Sequence, residues 1–250
     1  MQNVQTSKIR FDGGPYPRAR LGFVCVANAG LTEGDMFRMR PDGVGLSFTH
    51  MRMRKECTVE NLAQMEHDLD EALAGFLPAR NDVDVLCYNC TSGSFVIGEE
   101  VIRRKLEAGR NGVIGTTLLS GVVAALQALG VRRLSIGTAY TPDIDALEKA
   151  YFEQQGFEVV ATQGLSLTTD VEMNLVSPAS LLDFAVGLDR PDADAVFLSC
   201  GALRSLEIIE DAERRIGKPV VGSNQASFWH CLRLIGIRDK VTGFGKLLEI

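Results

Sequence analysis

The chain has 250 residues, 46% of them hydrophobic, and carries 26 lysines and arginines against 32 aspartates and glutamates, a formal net charge of -6. That much apolar material at this length supports one large or two small compact domains, while scattered acids without a basic stripe argue against nucleic acid and anionic membrane as partners. No apolar run approaches the roughly 20 residues needed to span a bilayer, and residues 1–20 lack the apolar core of a secretory signal, so a cytoplasmic location is expected.

The leading segment, residues 1–18, is polar and holds Gly13, Gly14, Pro15 and Pro17, which reads as an arm outside the core. From there short runs rich in valine, isoleucine and leucine alternate with stretches of helical periodicity. Strands are expected at 21–26, 44–48, 83–88, 112–115, 134–137, 157–161, 195–199 and 219–222. Helices are expected near 59–76, 98–108, 119–129, 142–155, 178–187, 205–216 and 225–235. This is the pattern of an α/β protein, with parallel sheet covered by helices on both faces. Thr58 and the pair Thr141-Pro142 mark helix starts, and Gly130 and Gly236 mark stops where a left-handed residue is needed.

Six cysteines in a chain with an adequate core read as reduced thiols rather than as a disulfide framework. Cys25, Cys57 and Cys231 are expected to be small buried hydrophobes. Cys90 and Cys200 stand apart because of an internal repeat. Asp84 precedes Cys90 by six positions and Asp194 precedes Cys200 by six; an apolar run lies between in each case, and small residues follow. A second match, Val113-Ile-Gly115-Thr-Thr with Val220-Val-Gly222-Ser-Asn, recurs in the same order at nearly the same offset, which argues for a duplicated half-chain. Both cysteines then fall at the carboxyl ends of equivalent parallel strands, where such sheets bind ligands, and face each other across a cleft.

A facing pair can hold one thiolate and one thiol. It can remove a proton from one face of a carbon and return one from the other, or let one sulfur attack while its partner donates a proton. Thr91, Ser92, Ser94 and the amide of Gly201 supply hydrogen-bond donors of the kind that hold a carboxylate. Thr116, Thr117, Ser223 and Asn224, at the equivalent strand ends, serve either as further donors or as ordinary helix caps.

Other chemistries lack their parts. No G-x-G-x-x-G follows the first strand and no G-x-x-x-x-G-K-[ST] occurs. Cys87 and Cys90 form C-x-x-C without a second ligand pair, and on a strand their side chains point to opposite faces; His50, His67 and His230 have no ligand spacing. No metal and no cofactor are therefore expected. His230, beside Trp229, reads as a packing residue, and Arg52 and Arg54 as solvating a strand end.

The stretch Leu198-Ser-Cys-Gly-Ala-Leu203, followed by Gly217-Lys-Pro-Val-Val221 and Phe228-Trp229, is similar to the C-terminal part of bacterial arylmalonate decarboxylases, which Thr91-Ser92 and Thr138-Ala-Tyr140 also fit. Met51-Arg-Met-Arg54 and Tyr88-Asn-Cys90 resemble segments of maleate cis-trans isomerases. The likeness runs from about Leu21 to the C-terminus, and both groups belong to the aspartate/glutamate racemase superfamily.

This resemblance implies two homologous flavodoxin-like parallel-sheet halves related by a pseudo-twofold axis, with the active site in the cleft between them. One half spans residues 1–118, with residues 223–250 packing back onto it, and the other spans 119–222. It implies Cys90 and Cys200 as the catalytic pair, and Asn28, Thr91, Ser92, Tyr140, Gly201 and Ala202 as the substrate-binding set. The decarboxylase has glycine at the first cysteine position, so the pair favours a cofactor-independent isomerase or racemase of a small carboxylate, in a homo-oligomer. The alternatives are a decarboxylase using Cys200 as proton donor, or a relative of ectoine-utilisation proteins. Two departures from the isomerases stand out. The segment Val24-Cys-Val-Ala-Asn28 has no proline, and Asp170 stands where they have asparagine. An acid there repels a second substrate carboxylate unless it is protonated or turned away, which argues against maleate itself.

Overall fold

The computed structural model describes residues 10–250. The first half runs β1 (Ala19–Val26), α1 (Thr32–Met39), β2 (Val44–Met51), α2 (Val59–Ala74), β3 (Val85–Asn89), α3 (Thr91–Ile97), α4 (Glu99–Glu107) and β4 (Ile114–Thr117), and α5 (Leu118–Ala128) connects it to the second. The second runs β5 (Arg133–Thr138), α6 (Pro142–Gln154), β6 (Glu158–Gly164), α7 (Asp170–Leu175), α8 (Pro178–Gly187), β7 (Ala195–Ser199), α9 (Ile209–Ile216), β8 (Val220–Gly222) and α10 (Ser223–Leu234), with short 3-10 turns at Ser205–Glu207 and Lys246–Glu249.

The strands form two parallel four-stranded sheets with the same order, β2-β1-β3-β4 and β6-β5-β7-β8. The repeat extends to register: Cys25 at the end of β1 pairs with Asn89, and Thr138 at the end of β5 pairs with Ser199, so the residue after each partner is one of the two cysteines. In each sheet the order reverses at the first strand, between β1 and β3 and between β5 and β7. Ligands of open α/β sheets bind beyond the carboxyl ends at such switch points. Every residue of β3 and of β7 is buried, as expected for central strands covered on both faces, whereas the edge strand β6 is only partly buried. The fold is α/β with two flavodoxin-like halves, as the periodicity and the resemblance together imply.

The C-terminal helix α10 follows the last strand of the second sheet, packs along α5, and also reaches α1 and β3 of the first half. Gly121 permits that contact: a Cβ there would lie 2.9 Å from the Ser227 Cα and 3.1 Å from the Ala226 carbonyl, backbone that cannot yield. Phe228 of α10 stacks at 6.4 Å from Phe23 of β1, which ties the second half's last helix to the first half's core.

All eight expected strands are present. Thr58 caps α2 by accepting from the Asn61 amide at 3.2 Å, and Gly130 and Gly236 take φ of +72° and +76° just past their helices. Thr141 makes no capping hydrogen bond, so Pro142 carries that helix start. The helix expected over 205–216 is split into the 3-10 turn and α9. Three helices were not expected: α1, α3 and α7 are short and lie in polar or glycine-containing stretches without clear periodicity. Of the expected N-terminal arm, residues 1–9 lie outside the described residues; residues 10–18 are exposed, and Arg18 pairs with Asp239 near the C-terminus. Among the described residues no helix is long and apolar enough to cross a membrane.

Candidate active site

Cys90 is the first residue after β3 and the N-cap of α3, in extended backbone (φ -142°, ψ 123°). Its sulfur accepts from the Gly93 amide at 3.3 Å and lies 3.8 Å from the Ser92 hydroxyl. The Tyr88 hydroxyl is buried with no conventional hydrogen-bond partner and sits beside that sulfur. Burial raises the Cys90 thiol to about 11; the Gly93 amide, Ser92 and Tyr88 hold it down, and the carboxylate of Asp170 adds to the rise. A Cβ on Gly93 would collide with the Tyr88 hydroxyl, so this turn needs glycine to seat the thiol.

Cys200 is the first residue after β7 and has φ +134°, a region that residues with a Cβ rarely enter. Strain of this kind persists where the surroundings over-determine it, and functional sites are where it collects. Here the surroundings are visible. The Cys200 amide donates to the Ser223 hydroxyl at 3.0 Å, its sulfur accepts from the Ala202 amide at 3.3 Å, and that sulfur packs 3.5 Å from the Met173 sulfur. Burial pushes this thiol well above its ordinary value, followed by the charge of Asp170, while the Ala202 amide and the Tyr140 hydroxyl favour its ionised form. Cys90 and Cys200 act electrostatically on each other, and Tyr140 and Cys57 both feel the pair. The two thiols stand at equivalent strand ends of the two sheets, close enough for Cys90 to act on Cys200.

Hydrogen bonds spanning the two halves hold these strand ends together. Thr91 and Ser223 share a hydroxyl contact at 3.0 Å, so Ser223 touches both strand ends at once. The Asn89 side chain donates to Asn224 at 3.0 Å and to Thr32 at 3.2 Å, and accepts from Ser227 at 2.6 Å. Asn224 in turn donates to Asp35 at 2.9 Å and to the Gly201 carbonyl at 3.0 Å. Asn174 donates to the carbonyls of Ala29 and Ala202, at 2.9 and 2.8 Å. Buried polar networks satisfied in this way specify one arrangement rather than merely adding stability.

Of the residues read from the sequence, the structure gathers Cys90, Thr91, Ser92, Tyr140, Cys200, Gly201 and Ala202 at adjoining strand ends, all buried or partly buried. Asn28 also follows a strand end, that of β1, but sits in an exposed turn, and the neighbouring turn is held by Asn174 instead. Thr117 is the cap of α5 and binds Glu99; Ser223 and Asn224 belong to the site's framework. Cys87 faces away from Cys90, toward Cys231 and Ser227 of α10. Burial lowers the pKa of His230, which packs against Gly121, and Arg52 forms a surface pair with Glu71 at 3.8 Å. Cys57 is buried, as expected, but lies within reach of both site thiols, its amide donating to the Thr168 carbonyl of the other half at 2.8 Å. Nothing around Cys57 in the sequence signals this, because its neighbours there, Glu56 and Thr58, belong to a loop and a helix cap. Met173 and Asn174 were missed for the same reason, since their partners are distant in the chain, whereas Tyr88 stands two residues before Cys90 and was noted only as part of a segment resembling the isomerases.

Comparison with known proteins agrees with this geometry. A family model described as arylmalonate decarboxylase matches residues 45–248. The arylmalonate decarboxylase of Bordetella bronchiseptica is 31% identical over 240 residues, covering 92% of this chain and 96% of that protein. A maleate isomerase of Nocardia farcinica is 26% identical over 241 residues, covering 92% and 95%. A crystal structure of arylmalonate decarboxylase superposes with a TM-score of 0.71 at 28% identity, covering 92% of this chain and 98% of the other. A maleate isomerase from Pseudomonas putida S16, solved with maleate, has the same fold, with a TM-score of 0.85 at 24% identity and coverage of 92% and 97%. Two equivalent sheets, each ending a central strand on a cysteine, thus coincide with sequence similarity along nearly the whole chain: the protein belongs to the arylmalonate decarboxylase family, in the branch of the aspartate/glutamate racemase superfamily that also contains the maleate cis-trans isomerases.

Proposed function

We propose that the protein is a cofactor-independent isomerase of a small carboxylate that works through Cys90 and Cys200. The observation that carries this reading is the pair itself: two thiols at equivalent strand ends, each with an amide and a tyrosine hydroxyl supporting its ionised form. Thr91, Ser92, Tyr140 and the backbone at Gly201 and Ala202 provide the donors for the substrate carboxylate.

The two sulfurs divide the work by environment. Cys90 has the lower pKa of the two and ionises more readily, so it is the nucleophile or base. Cys200, more strongly held in its neutral form, keeps a proton to give. On a 2-enoate, the Cys90 thiolate forms a carbon–sulfur bond, the π electrons move onto the neighbouring carbon, and the Cys200 thiol protonates it. Rotation about the resulting single bond and reversal of both steps return the isomer and both cysteines. On a carbon acid the same pair removes a proton from one face and adds one to the other.

Replacing either thiol tests the proposal. Cys90→Ala and Cys200→Ala should each lower turnover by about a thousandfold or more, since neither half-reaction completes alone. The substrate panel is maleate, maleamate, hydantoins, amino acids and aryl malonates, followed by NMR in deuterated water. The decarboxylase reading is favoured by the family match and predicts otherwise: Cys90→Gly would keep decarboxylation of an aryl malonate while Cys200→Ala removed it.

A further inference from the structure

Helix α7 covers the site with two side chains. Its only buried residues are Asp170 and Met173, and a spacing of three places them on one face. Met173 lies 3.5 Å from the Cys200 sulfur. One turn earlier on that face, Asp170 is 8% exposed, and its carboxylate bears on Cys57, Cys90 and Cys200 alike.

An acid at the start of a helix ordinarily serves the helix. In α7 that work is done by others. The Thr169 hydroxyl accepts from the Glu172 amide at 3.3 Å, and the Glu172 carboxylate accepts from the Thr169 amide at 3.1 Å, a complete capping box with Glu172 facing solvent. Asp170 by contrast has no ion pair and no side-chain hydrogen bond among the described residues; burial alone sets its pKa, at about 6. A largely buried carboxylate that no protein donor holds is open to a donor from a ligand.

We propose that Asp170 reads the end of the substrate away from its carboxylate, selecting a monocarboxylate with a hydrogen-bond donor at that end and rejecting a dicarboxylate. This rests on the proposed function, since it places the substrate between the two thiols. A terminal carboxamide, hydroxyl or ammonium would give Asp170 the donor it lacks. A second carboxylate would set like charges together.

The test uses unreactive saturated probes, so it does not depend on turnover. Succinamate and succinate differ only in an amide against a carboxylate, and both are titrated calorimetrically into the full chain and into Asp170→Asn at pH 7.5. Wild type should bind succinamate about tenfold or more tightly than succinate, as a site built around a donor discriminates. Asp170→Asn should bring the two within a few-fold, chiefly by improving succinate. Equal or tighter binding of succinate to wild type, no detectable binding of either probe, or an unchanged ratio in Asp170→Asn would each overturn the proposal. The wild-type ratio needs no variant, and Asp170→Ala with a thermal melt guards against misfolding. Failure here leaves the two-thiol reading intact if both cysteine variants still abolish turnover. Failure of the cysteine variants leaves the binding ratio to be judged by itself.

Discussion

The two halves carry the same strand order and register but end their cysteine strands differently. Cys90 takes an unstrained extended backbone and opens directly into α3, with amide, hydroxyl and tyrosine gathered at its sulfur. Cys200 sits at φ +134° in a turn, its sulfur pressed against Met173. The residues just before them differ in kind as well. Asn89 bonds directly only to neutral side chains, those of Thr32, Asn224 and Ser227, whereas Ser199 donates at 2.6 Å to Glu148, a fully buried acid. A repeated scaffold thus surrounds its two thiols differently, and the proposed division of roles between them rests on that difference. The unequal parts are the loops after the second strand of each half. One brings Cys57 and the other brings Asp170 and Met173, and the two loops meet through the bond from Cys57 to Thr168.

The largest effect that could break this comparison is chemical. At pH 8 iodoacetamide should modify Cys90 at least about ten times faster than Cys200, because its thiolate fraction is larger, and the rate should climb with pH toward about 11. Peptide mapping after timed quenching would measure it. Equal rates, or Cys200 reacting first, would reverse the assigned roles.

A smaller loss is expected from Ser223→Ala, which removes the hydroxyl joining Thr91 to the Cys200 amide. The strained turn would then be held only by its other contacts, and kcat/KM should fall by roughly tenfold, with the two cysteines still present. Steady-state kinetics on the substrate found by the panel would show whether the link matters.

The smallest effect concerns stability and the second half alone. Burial raises the Glu148 carboxyl from its ordinary 4.5 to about 8, against the Ser199 hydrogen bond that favours its ionised form. The folded protein therefore keeps a proton that the unfolded chain has lost above pH 4.5, so this contribution to stability is full below that pH and declines as pH rises toward 8. Glu148→Gln cannot ionise. It should melt a few °C above wild type at pH 8 and show little gain at pH 4.5. Parallel melting curves with no growth in that difference would mean that Glu148 is not the buried neutral acid described here.

Features set by nearby residues were legible in the sequence. The eight strands, the class, the stops at Gly130 and Gly236, and the repeat that singled out Cys90 and Cys200 all depend on local periodicity, turn chemistry or spacing along the chain. The helices α3 and α7 escaped because each is a few residues long and starts on a side-chain cap rather than a long periodic face, and α1 escaped because two of the four residues on its buried face, Thr32 and Asp35, are polar. The tertiary structure alone decided that Cys57 is a neighbour of the two site thiols, that Ser223 reaches both Thr91 and Cys200, and that Asp170 turns inward while Glu172, two residues on, turns out. Those facts depend on which loops meet where the two sheets adjoin, and partners tens of residues apart or more leave no periodic trace in the chain.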